Sequence, residues 1–212
     1  MTNINLIYII YIKIKCGGNI NIWIFFTLFG KNDNFFNVKE VLKVKFEISD
    51  RLLLKLKKNN KIFLNSNVCS VSDKVTLGDT VSFNLDFEEV SSNIVSTKMN
   101  LNIIYEDDYY IVINKPAGLP VHPSILHYEN SLSNGVKYYF DKLGLKKKIR
   151  PVNRLDKDTS GIVIFAKNEY IQECLVKQMK QKFFLKEYIA VCEGIFEKKK
   201  RNNKWTNCKK RK

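Results

Sequence analysis

The sequence predicts an α+β protein, built in two successive regions that each mix helix and short strand. Three observations carry this. Residues 109–114 and 162–166 are short apolar runs closed by turn chemistry, which suits buried strands. Residues 49–58, 131–143 and 169–181 instead space their apolar positions as helices do. Finally, 212 residues with 45% hydrophobic content hold one sizeable domain or two small ones, with enough apolar surface for a core.

Taken in order, residues 1–35 are set apart by composition. Two apolar runs, 4–12 and 20–29, are separated by Lys13, Lys15 and the Cys16-Gly17-Gly18-Asn19 break. Neither reaches the roughly 18–20 residues of a membrane span. No basic start precedes Ile4, as a signal peptide requires. The bias toward Asn, Ile, Lys and Tyr matches translated AT-rich sequence, so this segment is expected to stand outside the native fold. A weak membrane anchor is the rival reading.

Residues 38–86 form a small module. Ser49 is placed to cap a helix in which Arg51, Lys55 and Lys58 share one face and Leu52, Leu53 and Leu56 the other. A strand over 61–64, a turn at Asn65-Ser66-Asn67, a second turn at Leu77-Gly78-Asp79 and a strand over 80–85 follow. Residues 87–100 are polar and suit a linker. Beyond it, Lys115-Pro116-Ala117-Gly118 turns the apolar strand 109–114, and Val121-His122-Pro123 extends the loop. After the helix 131–143, Lys146-Lys147-Lys148 is a basic loop with the chemistry to touch phosphate. A final strand is expected over 183–193.

Residues 150–167 read RPVNRLDKDTSGIVIFAK. Asp156 lies beside Arg154 on a polar loop held by a strand, a placement that suits a carboxylate nucleophile. This string resembles the catalytic motif of the RluA-type RNA pseudouridine synthases, with Asn153 where the family usually has His. Residues 104–123, IYEDDYYIVINKPAGLPVHP, resemble the family's opening strand and Lys-Pro-Ala-Gly turn. Lys186-Glu187-Tyr188-Ile189-Ala190 resembles its tyrosine motif.

The resemblance implies isomerisation of uridine to pseudouridine in structured RNA, most naturally large-subunit ribosomal RNA. It implies Asp156 as nucleophile, Arg154 filling the space of the flipped base or touching the adjacent backbone, and Tyr188 stacking on uracil. It implies a catalytic region over 101–197 with a mixed, mainly antiparallel sheet and flanking helices. The module at 38–86 resembles the S-four fold that many such enzymes carry, making Arg51, Lys55 and Lys58, with Lys115 downstream, the expected RNA contacts. No cofactor is implied. His122 and His127 lack a third ligand for a metal site. A monomer is expected.

After Gly194 the resemblance stops, where the family's domain continues into a further basic motif. The net charge of +15 is concentrated in residues 198–212, which hold nine Lys/Arg and no acid, leaving +6 on the rest. One permitted codon set for residues 200–211, read one base forward, yields a family-like Gly-Ile…Pro-Ile-Ala-Arg-Lys string. A frameshift near Lys198–Lys200 is therefore the expectation for this tail. The alternative reading of the whole is a catalytically inactive RNA-binding remnant. Cys16, Cys69, Cys174, Cys192 and Cys208 show no paired spacing, consistent with a reducing, cytoplasmic setting.

Overall fold

The computed structural model describes residues 35–89, 93–181, 183 and 186–189, together with the backbone of 23–27. The architecture is α+β, with two four-stranded antiparallel sheets and flanking helices.

The first sheet has the order β1-β4-β2-β3, from β1 (Trp23–Thr27), β2 (Ile62–Leu64), β3 (Asn67–Val68) and β4 (Thr80–Asn84). β1 corrects one expectation: part of the segment set apart from the fold pairs with β4, from Trp23 opposite Asn84 to Thr27 opposite Thr80. The hairpin between β2 and β3 turns on Asn65 and Ser66, both at positive φ (49° and 70°). Positive φ at both central positions is what a tight hairpin matching the strand twist demands.

Two helices cover this sheet. α1 (Val38–Val44) is capped by Asn37, whose side chain accepts from the Glu40 amide at 3.0 Å. α2 (Asp50–Lys58) is capped by Ser49, which accepts from Leu52 at 3.3 Å. Leu52 and Leu56 are buried with Val38, Leu42, Ile62, Val81 and Phe83. Phe46 meets Phe83 edge to face at 5.0 Å.

The second sheet has the order β5-β6-β8-β7, from β5 (Ile103–Glu106), β6 (Tyr110–Lys115), β7 (Arg150–Pro151) and β8 (Gly161–Ala166). Its side chains alternate between two faces. Ile111, Ile113, Val163 and Phe165 pack against α3 (Leu132–Lys142) through Leu132, Val136 and Phe140. Ile164 and Ala166, with Val152, pack against Ile171, Leu175, Val176 and Met179 of α4 (Glu169–Lys180). The expected strand over 183–193 is not seen at its described positions: residues 183 and 186–189 have no strand pairing, and the rest lies outside the described residues.

The segment expected to be a linker is docked at its described residues. Glu89 takes both guanidinium nitrogens of Arg150, at 2.6 and 2.9 Å, and also the Lys55 ammonium. Lys147 binds Asp86 and the Phe87 carbonyl, each at 3.0 Å. The module also touches α4 directly. Ser49 donates to Glu173 at 2.8 Å, Arg51 pairs with Glu169 at 3.1 Å, and Phe83 meets Tyr170 edge to face at 5.7 Å.

Candidate active-site loop

The loop between β7 and β8 is held at three points, and its chemistry lies between them. The first anchor is Asn153, which is buried. Its amide nitrogen donates to the Ile162 carbonyl at 2.9 Å and its amide oxygen accepts from the Ile164 N–H at 2.9 Å. The side chain thus imitates a strand partner for β8, so the main chain can leave the sheet without orphaning those groups. The second anchor is Leu155, which packs into the core under α3. The third is Lys115, with 0% exposure. Its ammonium donates to the carbonyls of Pro116 (2.9 Å), Leu119 (2.7 Å) and Lys157 (2.9 Å).

Arg154, Asp156, Lys157 and Asp158 sit exposed between these anchors. The Thr159 amide donates to the Asp156 carbonyl at 3.2 Å, closing the turn, and Gly161 leaves it at φ +129°. That conformation suits glycine. The result is a carboxylate presented to solvent from a loop with little freedom, the preorganisation a nucleophile needs.

Electrostatics agree with the geometry. Burial lowers the affinity of Lys115 for its proton, while Asp158 and Asp156 favour its charged form. His122, on the neighbouring loop, is held below the ordinary histidine range by partial burial and by the Arg154 guanidinium.

Several expected site residues fall elsewhere. Lys115, expected to touch RNA, has its ammonium inside, tying the Lys-Pro-Ala-Gly turn to the Asp156 loop. Lys55 is largely taken up by Glu89 and Glu169, and Arg51 reaches Glu169 while staying largely exposed. Lys58 is exposed. Lys146 and Lys147 of the basic loop meet Glu88 and Asp86. Tyr188 is 62% exposed on a segment without regular structure, and no contact joins it to the Asp156 loop among the described residues. Sequence reasoning missed Glu89 because it lies in a polar stretch, where only its place between cationic partners marks it. Among the described residues no group of His, Cys, Asp or Glu could hold a metal ion, and no helix is long and apolar enough to cross a membrane.

Residues 109–212 match the family model described as RNA pseudouridylate synthase, a span that includes the basic tail. The chain is 35% identical over 141 residues to the uncharacterized RNA pseudouridine synthase YlyB of Bacillus subtilis, covering 65% of this chain and 46% of that protein. It is 36% identical over 180 residues to ribosomal large subunit pseudouridine synthase D of Borreliella burgdorferi, covering 79% of this chain and 54% of the relative. The chain belongs to the RluA-type RNA pseudouridine synthases.

It spans about half the length of the curated relatives it matches. A solved human structure, RNA pseudouridylate synthase domain containing 4, is similar at 25% identity over 39% of this chain and 30% of its own, with a TM-score of 0.33. Within the family-matched span lie all three anchors of the candidate loop, Asn153, Leu155 and Lys115, and the carboxylate they present.

Proposed function

We propose that this pseudouridine synthase acts in the isomerisation of uridine to pseudouridine in structured RNA, with large-subunit ribosomal RNA as the substrate class and Asp156 as the nucleophile. The observation that carries this is the exposed Asp156 carboxylate on a loop fixed by Asn153, Leu155 and Lys115. A carboxylate that forms a covalent intermediate divides detachment and rejoining of the base into two smaller steps. The target base must leave its stack to reach that carboxylate. Arg154, exposed two residues away, has the planar cationic group to fill the vacated space or bind the adjacent phosphate. Tyr188 is assigned to stacking on the uracil.

The order α1, α2, β2, β3, β4 supports reading residues 38–86 as an S-four-like RNA-binding domain. Lys58 and the exposed Arg51 are its phosphate contacts. Residues 101–197 are the catalytic region. A cytoplasmic monomer that needs no cofactor completes the reading.

Asp156→Asn tests it. Pseudouridine in an incubated large-subunit RNA is detected as a stop to primer extension after carbodiimide treatment. The expected result is loss of the stop with RNA affinity unchanged. If neither form produces a stop while both bind RNA, the chain is an RNA-binding remnant and the catalytic assignment falls.

A further inference from the structure

The loop between the Lys-Pro-Ala-Gly turn and α3 is built more firmly than its sequence suggests. Both stems are tied to the first turn of α3 by buried side chains. On one stem, Val121 O accepts from the Ser133 hydroxyl at 2.7 Å and from the Ser133 amide at 3.0 Å. Pro120 O accepts from the Leu132 amide at 2.9 Å. On the other, Asn134 Nδ2 donates to Tyr128 O at 3.1 Å, and Asn134 Oδ1 accepts from the Ser131 amide at 3.0 Å. Ser131, Ser133 and Asn134 are all fully buried. Between the stems, Ser124 and His127 pair as an antiparallel bridge with N···O distances of 3.4 and 3.0 Å. The two residues at the tip, Ile125 and Leu126, are 99% and 88% exposed. Polar side chains are locked inside while two large aliphatic ones are held in water, which reverses the usual partition.

The root of this hairpin is part of the Asp156 site. The Lys115 ammonium binds both Leu119 O and Lys157 O, so the segment entering the hairpin lies beside the loop carrying Asp156. His122, two residues before the bridge, lies within the electrostatic reach of Arg154.

We infer that the Ile125 and Leu126 tip is an apolar wedge that enters an RNA base stack beside the nucleotide presented to Asp156. RNA carries its charge outside, and its only broad apolar surfaces are base faces, exposed when a step opens. The hairpin is complementary to that arrangement, with the exposed Arg154 guanidinium near its root and aliphatic groups at its tip. Pinned stems mean that little freedom is lost on insertion. The inference rests on the RNA-modifying function proposed above.

The test compares the full chain with an Ile125→Ser, Leu126→Ser double variant. Both positions are exposed, so the unfolding midpoint stays put. The probe is a synthetic RNA stem-loop with a paired uridine flanked by 2-aminopurine, whose fluorescence rises on unstacking. Anisotropy follows binding across a salt series. The wild type raises the fluorescence, and the double variant lowers that rise at saturation by about tenfold while keeping the same salt dependence. An equal rise in the variant overturns the wedge, as does a wild type that causes no rise. Self-association of the wild type that the variant abolishes, seen by sedimentation, assigns the tip to a second copy of the chain and overturns it too. Pseudouridine measured on the same RNA keeps the two claims apart. Unstacking without product leaves the wedge and removes the catalytic reading; product with equal unstacking in both forms does the reverse.

Discussion

At the residue scale, Asn153 and Lys115 decide where Asp156 stands, and both act through backbone groups. Asn153 offers one donor and one acceptor on a flat group, and β8 uses both. The family's usual His at this position carries the same pair when neutral. Asn153→His should therefore keep stability within about 1 kcal/mol at neutral pH, whereas Asn153→Leu should cost about 2–3 kcal/mol by orphaning two buried backbone groups. Urea unfolding checks both; a Leu variant as stable as wild type would remove Asn153 from the role of anchor. Lys115 was legible as part of a motif but not as an interior residue, because a lysine in a turn reads as exposed. Its interior position follows from three carbonyls converging on one ammonium. Lys115→Met should cost about 3 kcal/mol, since those carbonyls lose their donor with no water to replace it. The same urea titration reads this.

At the scale of elements, the sequence located helices more reliably than connections. α2, α3 and α4 lie within a residue of their expected ends because Ser49, Ser131 and Asn168 occupy their N-cap positions and their apolar spacing is helical. α1 escaped notice because seven residues give less than two full periods of pattern. The polarity of 87–100 suggests a linker, yet Glu89 is docked, because polarity records composition while docking depends on which distant cations an acid meets. Glu89 illustrates this. Burial alone would raise its pKa, but hydrogen bonds from Arg150 and Lys55 outweigh it and hold the carboxyl below the ordinary range. The folded value is the lower one, so its stabilising contribution is complete above the unfolded value, about 4.3, and disappears as pH falls through the folded value. Glu89→Gln should cost about 2 kcal/mol at pH 7 and flatten the loss of stability below about pH 4.3. Thermal midpoints measured from pH 3 to 7 test this; parallel curves for the two proteins would contradict it.

At the scale of the whole molecule, the two sheets belong to one packed body. Tyr170, on the α4 helix that covers the second sheet, packs into the core of the N-terminal module and meets Phe83 edge to face. Around it, Ser49 binds Glu173, Lys177 pairs with Glu47, and Glu169 takes Arg51. The exposed pairs contribute little individually. The aromatic contact contributes more, since a ring buried against another removes apolar area from water and adds a geometric preference. This docking explains why Arg51 and Lys55 are turned partly toward carboxylates and not wholly toward solvent. It also fixes the distance from the module to Asp156, so the module and the Asp156 loop move as one. A single cooperative unfolding transition is therefore expected for the full chain. Tyr170→Ala combined with Glu173→Ala should remove the main apolar contact and its polar neighbour together. Calorimetry should then resolve two transitions, the second sheet with its helices and the N-terminal module melting separately, while the wild type shows one. Two transitions in the wild type itself would mean that the interface is too weak to couple the halves. In that case the distance from the module to Asp156 would not be fixed by the fold.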